Sequence, residues 1–199
     1  MSCASAGNCT AGGWYSNSAK ADQAFIADEV NGTWQRAVEV PGIGALSDVV
    51  ASQIASVSCA STGNCTAGGY YVNASEVAEA FVADEVNGTW QDAIQVPGIA
   101  ALNVGGPSQG PDAQVKSVSC GLAGNCAIGG FYVNSSGEYE AFVTQERNGG
   151  WQDAIEVPGT APNDGGSMLT TMSCARAGDC TAGGSYSSSA GSVVFVASS

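Results

Sequence analysis

The feature that most constrains the fold of this chain is a cysteine pair that occurs four times with the same spacing. Each pair has five residues between its members, and the pairs are Cys3 with Cys9, Cys59 with Cys65, Cys120 with Cys126, and Cys174 with Cys180. The first cysteines of successive pairs lie 56, 61 and 54 residues apart. A repeat of this length predicts one supersecondary unit per copy, each packed on the next. The 199 residues are therefore predicted to form one domain of four units, at residues 1–46, 54–102, 115–160 and 169–199.

Each copy contains short segments with the composition of β-strands. In the second copy they cover residues 57–59, 65–71, 80–86 and 89–98, and they are rich in β-branched and aromatic residues. Asn-Gly dipeptides at 31–32, 87–88 and 148–149 follow the third segment and predict two-residue type I′ hairpins. The fourth strand is expected to end at a proline, which lacks the N–H donor of a sheet residue. A long polar loop is then expected to lead to the next copy.

Four hairpin-connected strands with a long link to the next unit are typical of a propeller blade. The sequence thus predicts an all-β, β-propeller-like fold of four tandem blades, each with about four antiparallel strands. The last blade lacks its outer strand, because the fourth copy has no counterpart of the Trp and Val-Pro-Gly segment, and 15 strands are expected in all. A linear β-solenoid or stacked-sheet array is the alternative. Closure of a ring within one chain and closure by pairing with a second chain both stay open.

The cysteines are predicted to form disulfides. Their number is even, their spacing is constant, and the chain has no His to complete a mixed zinc site. Each disulfide is expected to clamp the first two strands of its own copy around a five-residue hairpin loop. Buried thiols and Cys₄ zinc sites are the alternatives, although zinc ligands are usually separated by two to four residues. Disulfides indicate an oxidising compartment, so a secreted location is expected although no signal-like segment opens the sequence.

The charge balance argues against two classes of partner. Five basic and eighteen acidic side chains give a formal net charge of -13. This charge repels the phosphate backbone of nucleic acids and anionic membrane surfaces. No apolar run approaches the roughly 20 residues of a membrane-spanning helix. Neither a nucleic-acid partner nor membrane insertion is expected.

The sequence contains no recognisable catalytic constellation. The acidic doublets at 28–29 and 84–85 are candidates for a glycosidase pair, but neighbouring residues of a strand point to opposite faces, so one doublet cannot supply both carboxylates. The chain has no His, nucleophile motif or phosphate-binding loop. We therefore predict no catalytic residue, no cofactor and no metal. Four loop residues are interpreted as solvated turns rather than calcium ligands: Asn103, Asp112, Asn163 and Asp164.

Aromatic residues are the candidates for ligand binding. Trp14, Tyr70 and Phe131 follow the Gly-Gly of the second strand in three copies, and the hypothesis is that they stack on sugar rings at equivalent pockets. The alternative is that they fill the space between blades. A second set alternates along the fourth strand and is predicted to pack in the core. Its members are Trp34, Trp90 and Trp151 with Val38, Ile94 and Ile155.

The Cys-paired, Trp-containing copies resemble the propeller repeats of secreted bacterial proteins, and this resemblance covers nearly all of the chain. Residues 31–34 and 87–90, Asn-Gly-Thr-Trp, are also similar to the Asp-box hairpin of sialidase-type propellers. Here the Gly-to-Trp spacing is one residue shorter, and Asn or Val holds the Asp position. The resemblance implies a propeller fold of lectin-like type and no single activity. Sialidase chemistry is rejected, because Arg36, Arg147 and Arg176 cannot supply its arginine cluster.

These observations lead to two functional expectations. The first is a secreted, non-enzymatic binding module that recognises carbohydrate or another surface ligand several times over, since near-identical copies favour multivalency. The second is a structural or assembly protein that oligomerises or polymerises through its incomplete terminal blades.

Overall fold

The computed structural model describes residues 1–46, 48–160, 165–189 and 191–199. The protein is an all-β chain of four antiparallel sheets, one for each cysteine-containing copy. Within every sheet the long strands pair in chain order as antiparallel neighbours. The repeat predicted from the cysteine pairs is thereby confirmed as a repeat of sheets.

The strands of the first two sheets correspond closely. The first sheet contains β1 (Ser2–Ser5), β2 (Asn8–Ser16), β3 (Asp22–Val30), β4 (Thr33–Trp34) and β5 (Val38–Glu39). The second contains β6 (Val49–Ser61), β7 (Asn64–Asn73), β8 (Ala78–Val86), β9 (Thr89–Trp90) and β10 (Ile94–Gln95). A 3₁₀ turn at Ile43–Ala45 connects them.

The third and fourth sheets continue the pattern. The third contains β11 (Gln114–Leu122), β12 (Asn125–Val133), β13 (Tyr139–Arg147), β14 (Gly150–Trp151) and β15 (Ile155–Glu156). Among the described residues the fourth contains three strands, β16 (Ser167–Arg176), β17 (Asp179–Ser188) and β18 (Gly191–Ser198), as expected from the predicted lack of an outer strand. A single helical turn, α1 (Ile99–Leu102), precedes the third sheet.

The Asn-Gly hairpins have the predicted geometry. Asn87 and Gly88 have φ angles of 51° and 80°, and the equivalent pairs of the first and third sheets match them within a few degrees. Positive φ at both central residues defines the type I′ turn, which follows the right-handed twist of the strands. Each of these turns is tied to the cysteine-containing hairpin of its own sheet, since Gly88 N donates to Gly63 O at 2.8 Å.

The cysteine-containing hairpin is tighter than predicted. Instead of a five-residue loop, β6 and β7 continue past their cysteines and leave only Thr62 and Gly63 between them. The register shifts by one residue after Cys59, and Gly63 has a φ of 74°, a conformation that glycine adopts without a Cβ penalty.

The outer strand of each full sheet is split in two, which the sequence did not predict. The expected strand at 89–98 consists of β9 and β10, both paired with β8. Between them the backbone turns to the preceding sheet, where Ala93 N donates to Pro41 O at 2.8 Å. Ala154 N donates to Pro97 O in the same way. The described residues therefore form 18 strands rather than 15.

Each hydrophobic cluster lies between two consecutive sheets. Ile26 of the first sheet packs with Tyr71 and Phe81 of the second, and Val82 packs with Ile128 of the third. The adjacent residues Phe81 and Val82 thus serve two different clusters, because successive strand residues point to opposite faces. A third cluster joins the third and fourth sheets. Within the described part of the chain, the first and fourth sheets make no substantial contact.

The connections between sheets also contribute to the core, against the prediction of a purely polar loop. Val40 and Ile43 are buried in the first cluster, and Val96 and Ile99 are buried in the second. The chain that leaves each outer strand therefore crosses the face of the sheet and fills part of the gap before the next one.

All eight cysteines form the predicted disulfides. Each bond joins directly opposed residues on the first two strands of one copy, with Cα–Cα separations of 3.9 to 4.0 Å. The described residues include no free cysteine, so the thiol and zinc alternatives are wrong. Four disulfides fit an oxidising environment. Among the residues described, no helix has the length and apolar character needed to cross a membrane.

The predicted packing of the outer-strand residues is only partly correct. Trp90 and Trp151 pack against the first and second clusters. Trp34, however, is 47% exposed, and the outer-edge residues Val38, Ile94 and Ile155 are exposed as well. Trp90 and Trp151 are packed because each contacts the preceding sheet, whereas no described sheet precedes Trp34. The exposure of Val38, Ile94 and Ile155 follows from the split of the outer strand, because the predicted alternation does not continue through the break.

Candidate functional site

Two equivalent clefts open between neighbouring sheets. The first cleft lies between the first and second sheets and has a volume of about 580 Å³; the second lies between the second and third sheets and measures about 500 Å³. The first cleft is defined by Asn8, Thr10, Asp28, Gln35, Cys65 and Glu85. The second cleft has the same residue types at the equivalent positions, namely Asn64, Thr66, Asp84, Gln91, Cys126 and Glu146.

Strand register brings the threonine and aspartate of each cleft together. Thr10 and Asp28 are directly opposed on β2 and β3, and the Thr10 hydroxyl donates to Asp28 Oδ1 at 2.7 Å. Thr66 and Asp84 repeat this pair in the second sheet at 2.6 Å. Such cross-strand partners lie within side-chain hydrogen-bond reach.

The next sheet supplies the second hydrogen bond to each aspartate. Trp90 Nε1 donates to Asp28 Oδ2 at 3.1 Å, and Trp151 Nε1 donates to Asp84 Oδ2 at 2.8 Å. Both carboxylate oxygens of each aspartate therefore accept a hydrogen bond, one from its own sheet and one from the following sheet. Burial raises the pKa of Asp84, and the hydrogen bonds from Thr66 and Trp151 partly offset this effect. Each aspartate therefore links its own sheet to the following sheet through side-chain hydrogen bonds.

The glutamates are in a different position. Glu85 is 7% exposed, yet no described residue donates a hydrogen bond to its carboxyl group. Burial, and then repulsion from Asp28, raises the pKa of Glu85 to about 7. Burial and repulsion from Asp84 likewise raise the pKa of Glu146 to about 7, although the backbone N–H of Cys126 partly stabilises its charge. Among the described residues that line the two clefts, none is basic.

The Glu85 side chain is largely buried, but its carboxyl oxygens reach the open space of the cleft, since no buried side-chain oxygen among the described residues lacks a hydrogen-bond partner. Each cleft thus combines one aspartate whose two oxygens both accept a hydrogen bond with one glutamate that has free acceptor capacity. Amide groups line the same space, at Asn8 and Gln35 in the first cleft and at Asn64 and Gln91 in the second. The clefts can accept hydrogen bonds from hydroxyl or ammonium groups and donate them from amides.

The gap between the third and fourth sheets lacks this set. It measures about 200 Å³, and Ala127 and Gln145 occupy the positions of the cleft threonine and aspartate. Val143, Met172 and Ala182 make most of its surface apolar. The acidic arrangement is therefore present twice in the described structure rather than three times.

Of the residues that define these clefts, the sequence points only to the acidic doublets at 28–29 and 84–85 and to the cysteines, and it does not predict the clefts. The prediction that a doublet points to opposite faces is confirmed, since Asp84 bonds to Trp151 of the third sheet while Glu85 faces Asp28 of the first. What the sequence did not show is that the aspartate of one copy meets the glutamate of the next. The alternation of the strand combined with the stacking of copies is the signal that would have revealed it.

The aromatic candidates lie elsewhere. Trp14 is 49% exposed and Tyr70 is partly exposed, but Phe131 is 4% exposed. The Phe131 ring contacts the edge of Tyr139 at 5.1 Å between centroids, and Lys116 Nζ lies 5.2 Å from it. None of the three lines either cleft. The hypothesis of sugar stacking at these positions stays a prediction, with unequal access at the three sites.

One of the loop residues interpreted as a solvated turn is instead a buried link between sheets. Asn103 is buried, donates to Ala78 O at 3.1 Å and accepts from Val133 N at 3.3 Å. Asp112 accepts a hydrogen bond from Gln114 at 2.9 Å. Asn163 and Asp164 lie outside the described residues. No group of three or more metal-binding side chains occurs among the residues that the structure describes.

Comparison with known proteins adds no relative. No protein-family model matches this chain. No significant match is found among curated proteins.

Proposed function

We propose that this protein is a secreted, non-enzymatic binding module whose sheets are the blades of a propeller-like array of lectin type. Its two equivalent clefts each bind a hydroxyl-rich ligand, of which carbohydrate is the main class. The observation that carries the proposal is the repetition of one side-chain set in two clefts, each with a buried glutamate next to an engaged aspartate.

The chemistry of the clefts favours uncharged or amino-bearing saccharides over acidic ones. Sugar hydroxyls donate to carboxylates and accept from amides, and both groups line each cleft. A sugar carboxylate or sulfate would meet Asp28 and Glu85 without any cation to compensate. Four disulfides support the secreted location.

The arrangement of the aspartates supports binding rather than catalysis. A nucleophile or general base needs an oxygen available to the reacting group. Both oxygens of Asp28 already accept one hydrogen bond, from Thr10 and from Trp90 of the next sheet, so the fold holds this carboxylate in place. In the proposal it links the two sheets and is not one of the two carboxyl groups that glycoside hydrolysis requires.

A glycan array that includes neutral, amino-bearing and acidic saccharides, followed by calorimetric titration of the strongest binder, tests the proposal. We expect two sites per chain and no preference for acidic saccharides. Preferential binding of acidic saccharides, or silence across the array, would contradict it.

Matched variants locate the sites. Gln35→Ala and Gln91→Ala each remove one amide from one cleft and should weaken half of the sites about tenfold, the effect of one lost hydrogen bond. Gln152→Ala is the control, because Gln152 makes the same side-chain bond to its own backbone but lies outside both acidic clefts. Equal weakening by all three variants would place the ligand elsewhere.

A further inference from the structure

We propose that the outer face of the fourth sheet binds the outer face of the first sheet in a second copy of this chain. The contact repeats the one that joins neighbouring sheets inside the molecule. This inference does not depend on what the clefts bind.

The internal contacts define two complementary faces. On the forward face, which meets the next sheet, Ala24 and Ile26 of β3 and Ala80 and Val82 of β8 are fully buried. On the backward face, which meets the preceding sheet, Tyr71 and Phe81 of the second sheet close over the residues of β3. Each sheet therefore offers one forward and one backward apolar surface.

In the described residues nothing covers the forward face of the fourth sheet. Phe195 lies opposite Gly184 as Phe81 lies opposite Gly69, so Val194 and Val196 occupy the positions of Ala80 and Val82. Val194 is 82% exposed and Val196 is 75% exposed. The two valines are two residues apart on one strand, so they lie on the same face and make it apolar.

The backward face of the first sheet is uncovered as well. Tyr15 is 43% exposed, whereas Tyr71, its equivalent in the second sheet, is 2% exposed. Tyr15, Phe25 and Ala37 line an open apolar depression of about 320 Å³. In the second sheet the equivalent residues pack against Ala24 and Ile26 and bury them. The depression has the same apolar lining and can therefore pack against Val194 and Val196.

One hydrogen bond recurs between successive sheets, and its donor and acceptor positions are also present on the two outer faces. The serine before each first cysteine accepts a hydrogen bond from the cysteine N–H of the next sheet: Ser2 from Cys59, Ser58 from Cys120, and Ser119 from Cys174, at 2.9 to 3.0 Å. Ser173 and Cys3 occupy the next positions in this series. Their meeting would add a fourth bond of the same kind.

The contact between copies is weaker than the contacts inside the chain. Ser198 faces Thr181 at the register position where Asp28 faces Thr10, so Trp34 would find no carboxylate of the type that binds Trp90. The association is therefore reversible and depends on concentration. Because two different faces meet, it is heterologous, and it closes as a ring or extends as an open array.

Sedimentation velocity of the disulfide-intact protein between about 1 µM and 1 mM tests the inference over the range expected for a weak interface. We expect the mass to rise from monomer to dimer or to larger multiples. A monomer at every concentration would overturn the proposal.

Two variants and a control test the faces. Val196→Lys disables the forward face and Tyr15→Lys disables the backward face, so each should remain monomeric alone. Leu122→Lys is the control, since Leu122 is exposed at the end of β11 and belongs to neither face. Far-UV circular dichroism confirms that each variant is folded.

Mixing the two disabled variants gives the sharpest result. Each retains one intact face, so the mixture should form a 1:1 heterodimer that neither variant forms alone. Association of Tyr15→Lys by itself, or failure of the folded variants to combine, would refute the face-to-face contact. Tyr15→Lys would associate by itself if two chains paired through the edges of their β18 strands.

Discussion

Replacement of Glu85 by Gln is the most direct test of the reasoning about the clefts. The substitution keeps the size and shape of a side chain that is nearly fully buried. It removes the charge that Asp28 repels, and the new amide can donate to the cleft carboxylates. Removal of this acidic residue should therefore stabilise the protein near neutral pH.

The magnitude follows from the pKa of Glu85, which rises from 4.5 to about 7 on folding. Each tenfold change in proton affinity corresponds to 1.36 kcal/mol, so the effect has an upper bound of about 3 kcal/mol, which solvent in the open cleft reduces. The folded state binds the proton more tightly than the unfolded state does. The stabilising contribution is therefore fully present below pH 4.5 and is lost as the pH rises through 7.

Urea unfolding at about pH 5 and about pH 8, with the disulfides intact, measures this effect. The free energy of unfolding of Glu85→Gln should exceed that of the wild type by up to about 3 kcal/mol at the higher pH and differ little at the lower pH. Glu29→Gln is the matched control, since Glu29 has the same strand position in the first sheet and is only partly buried. A Glu85→Gln variant with the pH dependence of the wild type would refute the account of the cleft.

Three further substitutions test the packing between and within sheets by urea unfolding. Trp90→Phe should lose about 1 to 2 kcal/mol more than Trp34→Phe, because only Trp90 donates to an aspartate of the preceding sheet; equal losses would contradict this role. Joint replacement of Cys59 and Cys65 by Ser should cost about 2 kcal/mol, because the disulfide closes a short loop; loss of the fold would show a larger role. Gly69→Ala should be severely destabilising, since a Cβ there lies 1.9 Å from Gln53 O, whereas Gly44→Ala meets no atom within 4 Å and should be nearly neutral.

The features that were predicted correctly are those determined by residues close together in the chain. The type I′ turns follow from the ability of Asn87 and Gly88 to adopt positive φ. The disulfides follow from cysteines that a tight hairpin places opposite each other. The number of sheets follows from the number of cysteine pairs. None of these features requires knowledge of how one copy packs on the next.

The features that were missed depend on contacts between copies. The outer strand breaks because Ala93 bonds to the backbone of Pro41, some fifty residues earlier. The burial of Ile43 and Ile99 depends on the gap between two sheets. The clefts combine Asp28 with Glu85 across the same gap. Composition marks these residues as polar or apolar but does not show which neighbour they meet.

The interface between the third and fourth sheets shows that two sheets of this protein pack without the acidic side chains of the clefts. The third and fourth sheets pack through Leu169, Ala141 and Ala182 without any counterpart of the Trp–Asp bond or the buried glutamate. Stacking of these sheets therefore does not depend on the acidic set. At the first two interfaces the set introduces a glutamate whose pKa is raised to about 7 by burial and by the neighbouring aspartate, so its ionisation opposes folding near neutral pH. Packing does not need this arrangement, and its repetition with the same residue types in two clefts is the observation on which the proposed binding function rests.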